Sequence, residues 1–151
     1  HDVSRFLSLC NGDTTKYKLA ILFMMTFVGM PTVFYGDELG IQGVLEEEYR
    51  HPMPWNGGDA ELHAFFKKAI AMRHELASLR RGDFQMVSAE AGSSLIVFTR
   101  KLGNQTVTVC INHGKGSVDL PNIAGSIYWA DGLNGKTLKE RGFAVFSSCE
   151  A

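Results

Sequence analysis

Thr32-Val33-Phe34-Tyr35-Gly36-Asp37-Glu38 is the stretch on which the fold of the first half turns. Its first four residues are a β-prone run without polar alternation, the pattern of a parallel strand buried on both faces. Just before it, Gly29-Met30-Pro31 closes a helix predicted over 16–28. From Ile21 to Phe27 that helix is apolar almost all round, so it must be covered on nearly every side. Further back, Asn11-Gly12-Asp13-Thr14-Thr15 reads as a loop delivering the helix start, with Asp13 or Thr14 as the capping side chain.

From Gly36 to Gly58 the chain is irregular and rich in acids, Gly and Pro. Loops of that length inside a compact domain are often functional. A second helix is predicted over 59–81. Leu62, Phe65, Phe66, Ala69, Ile70, Leu76 and Leu79 form one apolar stripe on it, and Gly82 is its terminator. The texture then changes to short alternating strands over 84–89, 95–100, 106–112, 126–130 and 142–147, separated by Gly- and Asn-rich turns. That is the pattern of an antiparallel sandwich. Two domains follow, residues 1–81 and 82–151. The first amounts to about one and a half βα units. Its parallel strand needs neighbours on both edges, so it reads as part of a larger sheet.

The totals exclude several classes. Net charge is −1, apolar content 45% and charged content 21% in 151 residues, with a pI near 6.6. No general electrostatic case exists for nucleic acid or an anionic membrane. The longest apolar stretch, 19–28, is about half of what a bilayer requires. Cys10, Cys110 and Cys149 are odd in number and far apart, which argues against a disulfide framework or zinc site. They fit a reduced compartment, so a cytoplasmic protein is expected. The histidines show no metal-ligand spacing.

Carboxylates are the candidate chemistry. Asp37 and Glu38 are adjacent, and on a continuing strand their side chains would face opposite ways. They are therefore read as structural. Asp2 comes from another loop. A retaining glycosidase needs two carboxyl groups roughly 5 Å apart, and spacing alone identifies no such pair here.

Four ordered segments supply a resemblance. His1-Asp2-Val3-Ser4-Arg5 resembles the fourth conserved region of glycoside hydrolase family 13, usually (Asn/Ser)-His-Asp-x-x-Arg at the end of the seventh barrel strand. Phe34-Tyr35-Gly36-Asp37-Glu38-Leu39-Gly40 resembles the family's segment at the end of the eighth strand. Arg50-His51-Pro52-Met53-Pro54-Trp55 resembles the Arg-x-Pro-Met-x-Trp that follows, and Arg80-Arg81-Gly82-Asp83 the exit of the eighth helix. The resemblance implies the end of a (β/α)8 barrel, from strand 7 through helix 8, followed by a C-terminal β-sandwich. It implies a retaining α-glucan hydrolase or transglycosylase of the neopullulanase, cyclomaltodextrinase and maltogenic amylase group, acting on maltooligosaccharides, cyclodextrins or pullulan. Asp2 would be the third catalytic carboxylate, bonding the 2- and 3-hydroxyls of the sugar being cleaved, with His1 on the same sugar. Such bonds strengthen as the oxocarbenium-like transition state forms. Glu46 and Arg50 stand at the group's acid-x-x-x-Arg spacing and would grip the next sugar, although the usual acid is Asp and Glu47 replaces the usual Pro. Arg5 is placed with them as a substrate-binding residue.

By the same resemblance the nucleophile and general acid lie upstream, on strands four and five of a missing N-terminal part of the barrel. These residues are thus expected to be inactive alone. No cofactor is implied for them, and calcium in the parent enzyme is left open. A homodimer of the parent is an expectation, because the group's N-terminal domain often mediates dimerisation. Two other readings stand beside the first: a carbohydrate-binding accessory module resting on Tyr128 and Trp129, and a trehalose synthase of the same family. Trp55 reads as a loop anchor.

Overall fold

The computed structural model describes residues 2–149, in two compact units. Among the described residues the first comprises 2–25 and 30–72, the second 26–29 and 73–149.

In the first unit, α1 (Phe6–Leu9) leads to α2 (Thr14–Thr26). Asp13 caps α2: its Oδ1 accepts the backbone N–H groups of Thr15 at 3.0 Å and Lys16 at 3.1 Å. Tyr17, Leu19, Ile21, Leu22 and Met25 of α2 are buried. α4 (Ala60–Glu75) starts on the same device, with Asp59 accepting the Leu62 N–H at 2.9 Å. Within the unit its stripe buries Leu62, Phe66, Ala69 and Met72, while Ile70 stays exposed. The Tyr17 and Phe66 rings meet edge-on, 6.0 Å between centres.

The expected parallel strand at Thr32–Tyr35 is not formed. The segment joins no ladder among the described residues, Tyr35 already belongs to the turn that follows, and Thr32 and Tyr35 are exposed. A strand exists through hydrogen bonds to neighbours, and every strand described here lies at 83–149, paired antiparallel. The long loop is more ordered than expected. It holds a 3₁₀ turn, Asp37–Leu39, and a one-turn helix α3 (Glu46–Tyr49). Glu48 closes the start of α3 by accepting the Val44 and Leu45 amides at 2.8 and 3.1 Å.

The helix predicted over 59–81 breaks at Leu76, whose ψ of 94° is extended, so α5 (Ala77–Arg81) is separate. In the second unit the six strands form one antiparallel sheet: β1 (Asp83–Ser88), β2 (Leu95–Leu102), β3 (Gln105–Asn112), β4 (Val118–Asp119), β5 (Ser126–Asn134) and β6 (Thr137–Cys149). β4 was not foreseen, and β5 and β6 are longer than the pattern suggested. β6 is central, pairing β3 through its second half, β4 through its start and β5 along most of its length. Within it Arg141 takes a left-handed φ of 50°.

Register explains why both faces are buried. Val97, Cys110 and Ala144 are partners across β2, β3 and β6 and share a core with Leu95, Leu120 and Leu138. Residues from β2 and from beyond β4, far apart in the strand order, thus share one core while hydrogen bonding runs unbroken through a single sheet. Burial pushes the Cys110 thiol up to about 12, so it packs as a small apolar group. On the other face the row Phe98, Val109, Val145 is fully buried. There the rings of Phe27, Phe84 and Phe98 cluster, Phe27 meeting the other two edge-on, with centres 4.9 to 6.2 Å apart.

Arg100 follows Phe98 on that face and is 2% exposed. Its Nη1 donates to the carbonyls of Thr26, Phe27 and Leu79 at 2.8 to 2.9 Å, and its Nη2 to Gly82 at 2.9 Å. Arg73 adds bonds to the Phe27 and Gly29 carbonyls. The guanidinium thus satisfies chain ends that helices and turns leave open.

Candidate functional site

The predicted residues Asp2, Glu46 and Arg50 come together. Arg50 donates to Asp2 Oδ1 from Nη2 at 3.2 Å and pairs through Nη1 with Glu46, one helical turn before it. All three side chains are solvent-accessible. Two carboxylates bridged by a planar donor fork suit a ligand that offers hydroxyl groups, since each can accept or donate to them in place. His1, expected beside Asp2, lies outside the described residues.

Arg5 differs from expectation. It is 3% exposed, and its donors are turned inward rather than toward a ligand. Nε donates to the Tyr49 carbonyl at 2.9 Å; Nη1 donates to the Tyr35 carbonyl at 2.7 Å and to Asp37 Oδ1 at 2.9 Å. The ring of Phe34 lies 4.1 Å from the guanidinium carbon and that of Tyr35 4.9 Å. Burial removes direct substrate contact from the roles of Arg5.

Asp37, read as structural, is the acid that answers Arg5. Burial pushes its carboxyl above the ordinary value, and the bond to Arg5, the Arg5 charge and a backbone hydrogen bond at Phe34 pull it partway back. Tyr17 borders this cluster and donates to the Asp37 carbonyl at 3.5 Å. Burial first, then the Asp37 charge, raises its phenol pKa. Gly36 holds the turn that presents Asp37. Its φ is 82°, and a side chain there would collide with Ile41.

The segment carrying Asp2 is stitched to the loop carrying Arg50. Ser4 Oγ donates to the Val44 carbonyl at 3.2 Å, Arg5 N–H to the Gly43 carbonyl at 2.9 Å, and Gly43 N–H to Ser8 Oγ at 2.8 Å. A Cβ at Gly43 would lie 2.5 Å from the Tyr49 nitrogen, so only glycine allows this approach. Tyr35 Oη donates to the His51 carbonyl at 2.8 Å. Trp55, read as an anchor, is 83% exposed. In the second unit Trp129 packs edge-on against Phe143, 5.0 Å between centres, and Tyr128 donates to Glu75. Among the described residues no group of three His, Cys, Asp or Glu side chains is placed to hold a metal.

Residues 1–69 match the family model of the α-amylase catalytic domain. The chain is 38% identical over 141 residues to neopullulanase 2 of Thermoactinomyces vulgaris, covering 90% of this chain and 24% of that protein. It is 37% identical over 123 residues to a cyclomaltodextrinase of Geobacillus thermopakistaniensis, covering 80% and 21%. A debranching enzyme from Nostoc punctiforme superposes with a TM-score of 0.84 at 27% identity, over 98% of this chain and 34% of that one. The chain belongs to the α-amylase family of glycoside hydrolases. It spans about a quarter of the length of these curated relatives.

Proposed function

We propose that this chain contributes the closing part of a (β/α)8 barrel, residues 1–81, and a C-terminal β-domain, residues 82–151, to a retaining α-glucan hydrolase or transglycosylase. Its substrates are α-1,4-linked maltooligosaccharides, cyclodextrins and pullulan. Asp2 bonds the 2- and 3-hydroxyls of the sugar undergoing cleavage. These bonds tighten as that ring flattens toward the oxocarbenium-like transition state, so they lower the barrier rather than merely hold substrate. Arg50 and Glu46 hold the adjacent sugar. The nucleophile and acid carboxylates are supplied from outside these residues, and residues 1–151 alone are inactive.

The observation that carries this reading is the Asp2–Arg50–Glu46 bridge, formed by two of the segments that resemble the family and lying within residues 1–69. The accessory-module reading is weakened, because Trp129 spends its ring on Phe143 and Tyr128 its hydroxyl on Glu75.

The test compares the full-length gene product with residues 1–151 on maltoheptaose, cyclodextrin and pullulan. Release of reducing sugar by the former and none by the latter is expected. Hydrolysis by residues 1–151 alone, or none by the full-length product, contradicts the reading.

A further inference from the structure

We propose that Asp37, acting through Arg5, is a positioning residue that sets the Asp2 carboxylate against Arg50. The proposal rests on the function proposed above and adds a residue to its machinery. The reasoning starts from what the Asp2–Arg50 pair cannot do alone. Both side chains are exposed, and an exposed ion pair contributes about 0–1 kcal/mol. Reacting groups must be held to within roughly 0.5 Å. Something stiffer than the pair itself has to fix the two backbones.

Arg5 is that element. It lies three residues beyond Asp2, and its buried fork reaches the carbonyl of Tyr49, the residue before Arg50. One side chain thus spans both partners of the ion pair. Its other bonds anchor it to the Tyr35 carbonyl and to the Asp37 carboxylate, between two aromatic rings. The anchor needs a counter-charge, because a buried guanidinium without one is drawn to water. Asp37 supplies it from a 3₁₀ turn whose shape depends on Gly36. Asp37 does not reach a ligand through Arg5; it decides where Asp2 and Arg50 sit.

The experiment measures kcat and KM of the full-length gene product carrying Asp37→Asn, with folded enzyme counted by near-UV circular dichroism. Asn can still accept from Arg5 but carries no charge. The expected result is a fall in kcat per folded molecule of about 10²-fold, the cost of a displacement on the order of 1 Å, with KM nearly unchanged. Arg5→Lys keeps the charge facing Asp37 and gives up the fork. It should show a loss of the same kind, and it carries the test should Asp37→Asn not fold. Wild-type kcat per folded molecule in a folded variant overturns the proposal. So does failure of both variants to fold, which assigns the pair to the fold alone. An Asp2→Asn control separates the two readings: full activity there defeats the proposed function, whereas its inactivity beside a normal Asp37→Asn defeats only the positioning role.

Discussion

Asp2→Asn in the full-length gene product is expected to lower kcat on maltooligosaccharides about 10³-fold, roughly 4 kcal/mol of lost transition-state stabilisation. KM should hardly move. The substitution keeps size and shape but removes the charge and turns one acceptor into a donor. In the ground state a sugar hydroxyl loses little by this, since amide and water compete closely. In the transition state the ring carries positive charge, and the bonds from its 2- and 3-hydroxyls to a carboxylate shorten and strengthen. The loss therefore falls on the chemical step. Geometry favours a local effect: Asp2 is exposed and pairs with Arg50, which is exposed as well. Steady-state kinetics with an unchanged melting temperature check the prediction. A rise in KM with kcat preserved would assign Asp2 to uniform binding instead.

The largest stability effect is expected at Arg100. Arg100→Ala leaves the carbonyls of Thr26, Phe27, Leu79 and Gly82 without the donor that now serves them, those of Thr26 and Leu79 in buried bonds. Each buried unsatisfied group costs about 1–3 kcal/mol. Some carbonyls will relax toward solvent, and Arg73 retains its bond to Phe27, so the sum is not fully realised. A loss of about 3–5 kcal/mol is expected. Arg100→Lys should recover only part of it, because one ammonium cannot copy a planar fork that meets four carbonyls. Burial first, then the nearby Arg73 charge, lowers the Arg100 pKa from its ordinary value. The group stays a cation near neutral pH, so the effect should not depend on pH there. Urea unfolding followed by far-UV circular dichroism measures it, and a change below about 1 kcal/mol contradicts the account.

How much of this was legible in the sequence depended on how local the cause was. α2 was legible because its apolar density and the Asp13 cap lie in one short window. The strands after residue 82 were legible because alternation and Gly- or Asn-rich turns repeat along the chain. Thr32–Tyr35 was misread because composition reports a preference for extended backbone, while a strand also needs partners that no local window contains. The break at Leu76 carries neither Gly nor Pro, so nothing nearby announced it. The Glu46–Arg50 ion pair was legible from its one-turn spacing, whereas the meeting of Arg50 with Asp2 joins segments far apart in sequence. Arg5 was misread because a charged loop residue beside a candidate carboxylate looks solvent-facing. Its burial is decided by Phe34, Tyr35 and Asp37, about thirty residues away. Arg100 did leave a trace: period-two alternation puts it on the face of Ile96 and Phe98, which marks a charge on an inward row.

The most direct measurement of the central claim is a crystal structure of the full-length gene product bound to a maltooligosaccharide that it hydrolyses slowly. The account predicts the Asp2 carboxylate within about 3 Å of the 2- and 3-hydroxyls of one glucose ring, with Arg50 on its neighbour. A glucan seated elsewhere, with no sugar oxygen within hydrogen-bonding reach of Asp2 or Arg50, would contradict it.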